Sequence, residues 1–104
     1  MSQFKKIADF KASLSQAEPP REWSLHLKAL WYDAKGDWDS AHKAIQDEGD
    51  AFSAQIHAYL HRKEGDQGNA DYWYRRSGTS SPRLSLEEEW VELVHHGVQI
   101  DTGL

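Results

Sequence analysis

The sequence predicts an all-α fold of five to six antiparallel helices. Three observations predict it. Apolar residues recur at helical spacing through most of the chain. No segment shows the period-two alternation of a half-buried strand. A Gly-Asp pair at Gly36-Asp37 returns as Gly65-Asp66, 29 positions on, and its surroundings return with it. A fixed period of this order marks stacked helical hairpins.

The first helix is expected over Ser2 to Leu14. Phe4, Ile7, Lys11 and Leu14 follow helical spacing there, with Phe10 beside them. Ser15 to Glu18 links it to Pro19-Pro20. Proline is tolerated only in the first turn of a helix, so the second helix is expected from near Pro20 to Lys35. Trp23, Leu27, Leu30, Trp31 and Ala34 form its apolar face. Gly36 suits a left-handed cap, and Asp37 suits the N-cap of the third helix. Trp38, Ala41, His42 and Ile45 line the inner face of that helix, which is expected to end near Asp47, with a turn at Gly49.

The fourth helix is expected over Asp50 to Glu64, with Phe52, Ile56, Tyr59, Leu60 and Lys63 in register. Gly65 and Asp66 repeat the cap chemistry. The fifth helix then runs from Gln67 to about Arg76, with Gly68 weakening its first turn. Ser77 to Arg83 is a loop rich in turn formers. Ser85-Leu86-Glu87-Glu88 is a capping box that opens the sixth helix. Leu86, Trp90, Leu93 and Val94 are its stripe. Gly97 is expected to end it and leave Val98 to Leu104 as a tail.

At 104 residues the chain makes one domain, 1–104. The hydrophobic share is low, 38%, but five Trp, four Tyr and three Phe bury more area each than aliphatic residues do. The absence of cysteine excludes disulfides and thiolate metal sites and suits a reducing compartment. No apolar run approaches the ~20 residues of a membrane span. Met1 to Leu14 carries charges throughout, unlike a signal peptide. A cytoplasmic protein with no membrane partner is expected. A net charge of −5 argues against a nucleic-acid partner, whose binding rests on phosphate neutralisation. Within that acidic chain, His61 to Arg83 is net +2: Arg62, Lys63, Arg75, Arg76 and Arg83 against Glu64, Asp66 and Asp71. The five tryptophans leave room for an apolar surface patch, and so for a homodimer.

Aligned at the offset of 29, Trp23 meets Phe52, Leu27 meets Ile56, Ala29 meets Ala58, Ala41 meets Ala70 and Ile45 meets Tyr74. The alanines would sit where the helices of each hairpin cross most closely. With a small residue in the first helix, a Gly-Asp turn, a small residue five positions after the glycine and an apolar one four further on, the chain resembles the tetratricopeptide repeat family over about residues 21 to 82. Pro82 stands seventeen residues after Gly65, where that family ends its repeat. The period is shorter than the family's ~34 residues, and its Trp-x2-Leu-Gly opening is absent. The resemblance implies an α-α superhelix with two central hairpins, about 21–48 and 50–77, capped by helices at about 2–14 and 85–96. It implies a scaffold that binds a peptide or protein partner along a concave surface. A second stretch, His57-x3-His61-Arg62-x-Glu64-Gly65-Asp66-x2-Asn69-Ala70-x-Tyr72-Trp73-Tyr74-Arg75-Arg76, is similar to one shared by small bacterial and fungal proteins of uncharacterised activity.

Two groups of residues carry possible chemistry. His57, His61 and Glu64 stand at i, i+4 and i+7 on one helix face and are a candidate set for a divalent metal. The alternative is a pair of histidines packed at a helix contact, with no cofactor. Arg62, Arg75 and Arg76 could clamp an anion bidentately, with Asn69 as an amide donor and Tyr72 as an exposed contact. The alternative is that Arg75 and Arg76 pair with Asp71 or with the acidic sixth helix. There is no HExxH motif, nucleophile elbow or glycine-rich phosphate loop, so no catalytic residue is assigned. The first functional expectation is a non-enzymatic interaction module. The second is a small-anion or metal site around His57, His61 and Arg62.

Overall fold

The computed structural model describes residues 4–101. It places six helices among them: α1 (Phe4–Ser13), α2 (Leu25–Ala34), α3 (Trp38–Ile45), α4 (Ala51–Lys63), α5 (Gln67–Ser77) and α6 (Leu86–Asp101). The described residues form no strand, so the fold is all-α. The expected helical start at Ser2, the side chains of Phe4 and Ile7, and the chain from Thr102 onward lie outside the described residues.

The two Gly-Asp turns are built alike. Gly36 adopts φ 82°, and the Asp37 amide returns to the Tyr32 carbonyl at 2.9 Å. Gly65 adopts φ 92°, and the Asp66 amide returns to the His61 carbonyl at 2.9 Å. This is the Schellman closure, which needs a residue free of Cβ strain at positive φ. Each aspartate then caps the next helix: Asp37 accepts from the Ser40 amide at 3.1 Å and Asp66 from the Asn69 amide at 3.2 Å. The turns fold α2 against α3 and α4 against α5. Ala29, Ala41, Ala58 and Ala70 are all fully buried.

The hairpins stack with α2 and α4 side by side and parallel. His26 near the start of α2 bonds Asp50 at the start of α4, at 2.8 Å. Asp33 near the end of α2 accepts from Lys63 at the end of α4, at 2.7 Å. Helix α6 runs antiparallel to both, in the furrow between them. Its Glu89 meets Arg62, and its Trp90 indole donates to the Leu30 carbonyl at 3.3 Å. Further along, His96 packs edge-on to Phe52 at 4.6 Å, and Asp101 accepts from the Ser24 amide at 3.1 Å. Leu27, Leu30, Ile56, Leu60, Leu93, Val94 and Val98 fill the space enclosed. Helix α1 packs on α6, with Phe10 stacked on Trp23 at 5.1 Å and edge-on to Trp90 at 5.6 Å. The radius of gyration, 12.9 Å, is that of a single compact domain of this length.

Two expected boundaries are corrected. The second helix starts at Leu25, not near Pro20, because Ser24 is the N-cap and accepts from the Leu27 amide. The sixth helix does not stop at Gly97 but continues to Asp101, with Val98 buried. Gly97 serves a close crossing instead. A Cβ there would stand 2.9 Å from Leu27 Cδ2 and 3.5 Å from the Phe52 ring. A Gly97→Leu variant should therefore lose about 2–3 kcal/mol by overpacking α6 against α2 and α4. Gly68, helical with open space around its Cα, is the matched control. Gly68→Ala should gain about 0.5–1 kcal/mol from helix propensity. Urea denaturation of the two variants checks both signs.

Candidate metal centre

Helix α4 lies between α3 and α5, which make no substantial contact with each other. The floor of the groove between them is formed by the α4 histidines. His57 and His61, one helical turn apart, are both buried, and His42 reaches them from α3. Nε2 of His42 and Nε2 of His57 are 2.8 Å apart. One ring nitrogen from each of His42, His57 and His61 lies within 4.8 Å of the other two.

Aromatic rings wall this cluster. Trp38 stacks on His42 at 4.7 Å with an interplanar angle of 11°. Trp73 stacks on His57 at 3.9 Å with an angle of 18°. The Trp38 indole is itself anchored by donation to the Leu60 carbonyl at 2.8 Å. His61 donates Nδ1–H to Glu64 at 2.8 Å. A carboxylate behind the ring of a histidine is the usual support of a metal-ligating imidazole.

The electrostatics favour neutral rings. Burial pushes the His57 imidazole down to about 4, with His42 and His61 adding to the effect. Burial, then His61, lowers His42, against the opposing pull of Glu64 and Asp39. At neutral pH both rings keep their lone pairs, and the short contact joins a donating to an accepting imidazole. Neutral imidazole is the form that binds metal. Around a tetrahedral zinc-like ion the donors would be ~3.3 Å apart. That is within half an ångström or so of the contact between His42 and His57. The donor set therefore fits a borderline divalent ion, and not magnesium or calcium, which demand oxygen.

The residues expected from sequence separate into five places. His57 and His61 come together, but Glu64 stands behind the His61 ring and the third nitrogen comes from His42. Arg62 turns away to α6. Its guanidinium donates to Glu89 at 2.6 Å and, through a very short bond, to the Leu84 carbonyl. Glu89 is buried and also accepts from Tyr74 at 2.6 Å. Arg62 is thus the structural half of an ion pair and is not available to an anion at the histidines. Asn69 stays at the Asp66 turn, its amide donating to Asp66 at 3.4 Å. Tyr72 and Arg76 bond each other at 3.2 Å, and the Arg76 guanidinium lies 5.1 Å from the centre of the Trp73 ring. Arg75 is exposed.

A second polar group lies on the opposite face of α4. Asp33, almost fully buried, accepts from Tyr59 and Lys63, both at 2.7 Å. It floors a cleft of about 540 Å³ that Leu86, Trp90 and Val91 border. Burial and the Asp33 carboxylate push the Tyr59 hydroxyl well above its ordinary range, so it remains a donor. Among the described residues, no helix is long and apolar enough to cross a membrane. No family model matches the chain, and no curated protein or solved structure is significantly similar to it.

Two outcomes follow from these contacts. The unfolded chain binds protons at histidine near pH 6.5, whereas native His57 stays neutral down to about 4. Stability should be complete above about 6.5 and fall as the pH drops toward about 4, because the unfolded state then binds more protons. Urea midpoints at about pH 7.5 and about pH 5 should differ less in His57→Gln than in the parent. Glu89→Ala should cost about 3–5 kcal/mol, measured the same way, because it leaves the half-buried Arg62 and the buried Tyr74 hydroxyl without their shared partner.

Proposed function

We propose that this protein is a small helical binding module for a divalent transition-metal ion, with His42, His57 and His61 as its ligands. The observation that carries the reading is the gathering of one ring nitrogen from each of three histidines, on two helices, within 4.8 Å of one another. Glu64 orients His61, and Trp38 and Trp73 hold the other two rings by stacking. Imidazole sets favour zinc, cobalt, nickel and copper over magnesium or calcium. An ion there would also tie α3, in the first hairpin, to α4 in the second.

The partner-binding reading loses its simplest surface. A peptide lying along α2 and α4, as the repeat resemblance implies, would meet α6 in that furrow. A protein partner would have to use the outer face, where Trp73, Tyr72 and Arg76 lie.

The test is a titration of metal-free protein with zinc, cobalt, nickel and magnesium, followed by calorimetry and by thermal unfolding. The first three should raise the unfolding midpoint by mass action, about 2.7 kcal/mol at a hundredfold excess over Kd, and magnesium should not. His42→Ala should abolish binding, and Glu64→Gln should weaken it about 10-fold. A midpoint indifferent to every metal, or a folded His42→Ala variant that binds as the parent does, would overturn the reading.

A further inference from the structure

The cleft over Asp33 lies away from the histidines, bordered by α1, α2, α4 and α6, and has a volume of about 540 Å³. A closed cavity of about 150 Å³ is enough to hold benzene, so this one has room for two or three rings. One wall is apolar and still meets water. On α6, Leu86 and Trp90 are half-buried and Val91 is 47% exposed. Trp90 is fixed by its bond to the Leu30 carbonyl and by the edge contact with Phe10.

The floor is polar but carries no net charge. Asp33 is 3% exposed and holds Tyr59 on one oxygen and Lys63 on the other. An ammonium has three donors, of which Asp33 accepts one. The Lys63 side chain is 39% exposed and borders the cleft, so its remaining donors are free for a ligand. At the rim, Lys11 and Glu87 carry opposite charges. The cleft thus sets two ammonium groups against two carboxylates. A charged ligand gains no net attraction from that balance and loses hydration against the apolar wall. An uncharged ligand loses little and can still accept from Lys63. A mostly apolar cleft with a few converging polar groups is the usual form of a small-molecule site.

We propose that this cleft binds a small uncharged molecule of two or three rings, its apolar face against Leu86, Trp90 and Val91 and one oxygen acceptor on the Lys63 ammonium. The proposal is independent of the metal reading, because no residue of the cleft belongs to the histidine cluster. Binding is non-covalent and leaves the molecule unchanged.

The test titrates three probes into the isotope-labelled full chain and follows it by heteronuclear NMR. Acetonaphthone is uncharged and carries a carbonyl acceptor. Naphthoate has nearly the same shape and a negative charge, and naphthalene has no acceptor. Acetonaphthone should give saturable shifts at the Leu86 and Val91 amides and at the Trp90 indole N–H. It should bind about tenfold tighter than naphthalene, through its bond to a charged donor, and tighter than naphthoate. Lys63→Met should remove the preference over naphthalene and leave naphthalene binding as it is. Val91→Gln lies on the exposed wall, where it does not disturb the core, and should weaken both uncharged probes about threefold. Should Lys63→Met fail to fold because Asp33 loses a partner, Val91→Gln alone decides whether this wall is the site. Shifts that do not saturate, or that scatter over the surface, overturn the proposal. So does naphthoate binding as tightly as acetonaphthone, which would make the ligand an anion. Acetonaphthone affinity unaltered in Val91→Gln places the probe elsewhere and overturns it as well.

Discussion

Helix α4 is surrounded, and the rest of the structure follows from that constraint. Of its thirteen residues, nine are buried, and they lie all around its axis rather than along one stripe. An amphipathic helix buries one face and leaves its polar residues in water. Here α2, α3, α5 and α6 close on α4 from different sides, so Ser53, His57, His61 and the Arg62 head group must find partners in the protein. A buried polar group without a partner costs about 1–3 kcal/mol. Asp50 and Glu64 at the ends of α4 serve Ser53 and His61, and the other partners come from the neighbours: Asp33 of α2 to Tyr59 and Lys63, His42 of α3 to His57, and Glu89 of α6 to Arg62. Buried polar pairs add little net stability over apolar substitutes, but breaking one is expensive. Their effect here is to set where each neighbouring helix sits against the central one.

What could be read in the sequence is what depends on neighbours in sequence. The glycine caps, the aspartate N-caps and the Ser85–Glu88 box use atoms a few residues apart, and all three formed as expected. The alanine crossings were visible because the repeat displayed them twice. The misses are contacts between distant segments. His42 reads as an inner-face residue of the third helix, and nothing in its spacing connects it to His57. Glu89 reads as one of four glutamates on an acidic helix. Only the packing of α6 in the furrow separates it from Glu87 and Glu88, which stay exposed. Gly97 reads as a helix stop, because a glycine that ends a helix and one that admits another helix are the same letter.

The histidine cluster shows how such a fold can bury neighbouring imidazoles without repulsion. Three protonated imidazoles this close would repel, and burial would penalise each charge further. The chain avoids both by keeping His42 and His57 neutral and joining them through a shared proton at 2.8 Å. The stacked indoles restrict rotation of the His42 and His57 rings.

The two halves of the repeat have diverged in what their outer faces carry. At the first Gly-Asp turn, Asp33 and Lys35 tie α2 to α4 and to the chain after α1, at Leu14. At the second, the same helix end carries His61 and Glu64, joined across one turn and facing a groove. The furrow that a helical repeat offers a peptide is taken by α6 through Trp90, Val94 and the close crossing at Gly97. A surface buried in the core cannot also be a recognition surface. The histidine cluster lies outside that furrow, where His42 of α3 meets His57 and His61 of α4. There α3 and α5 stand apart, and the buried His57 and His61 of α4 meet the half-buried His42 of α3.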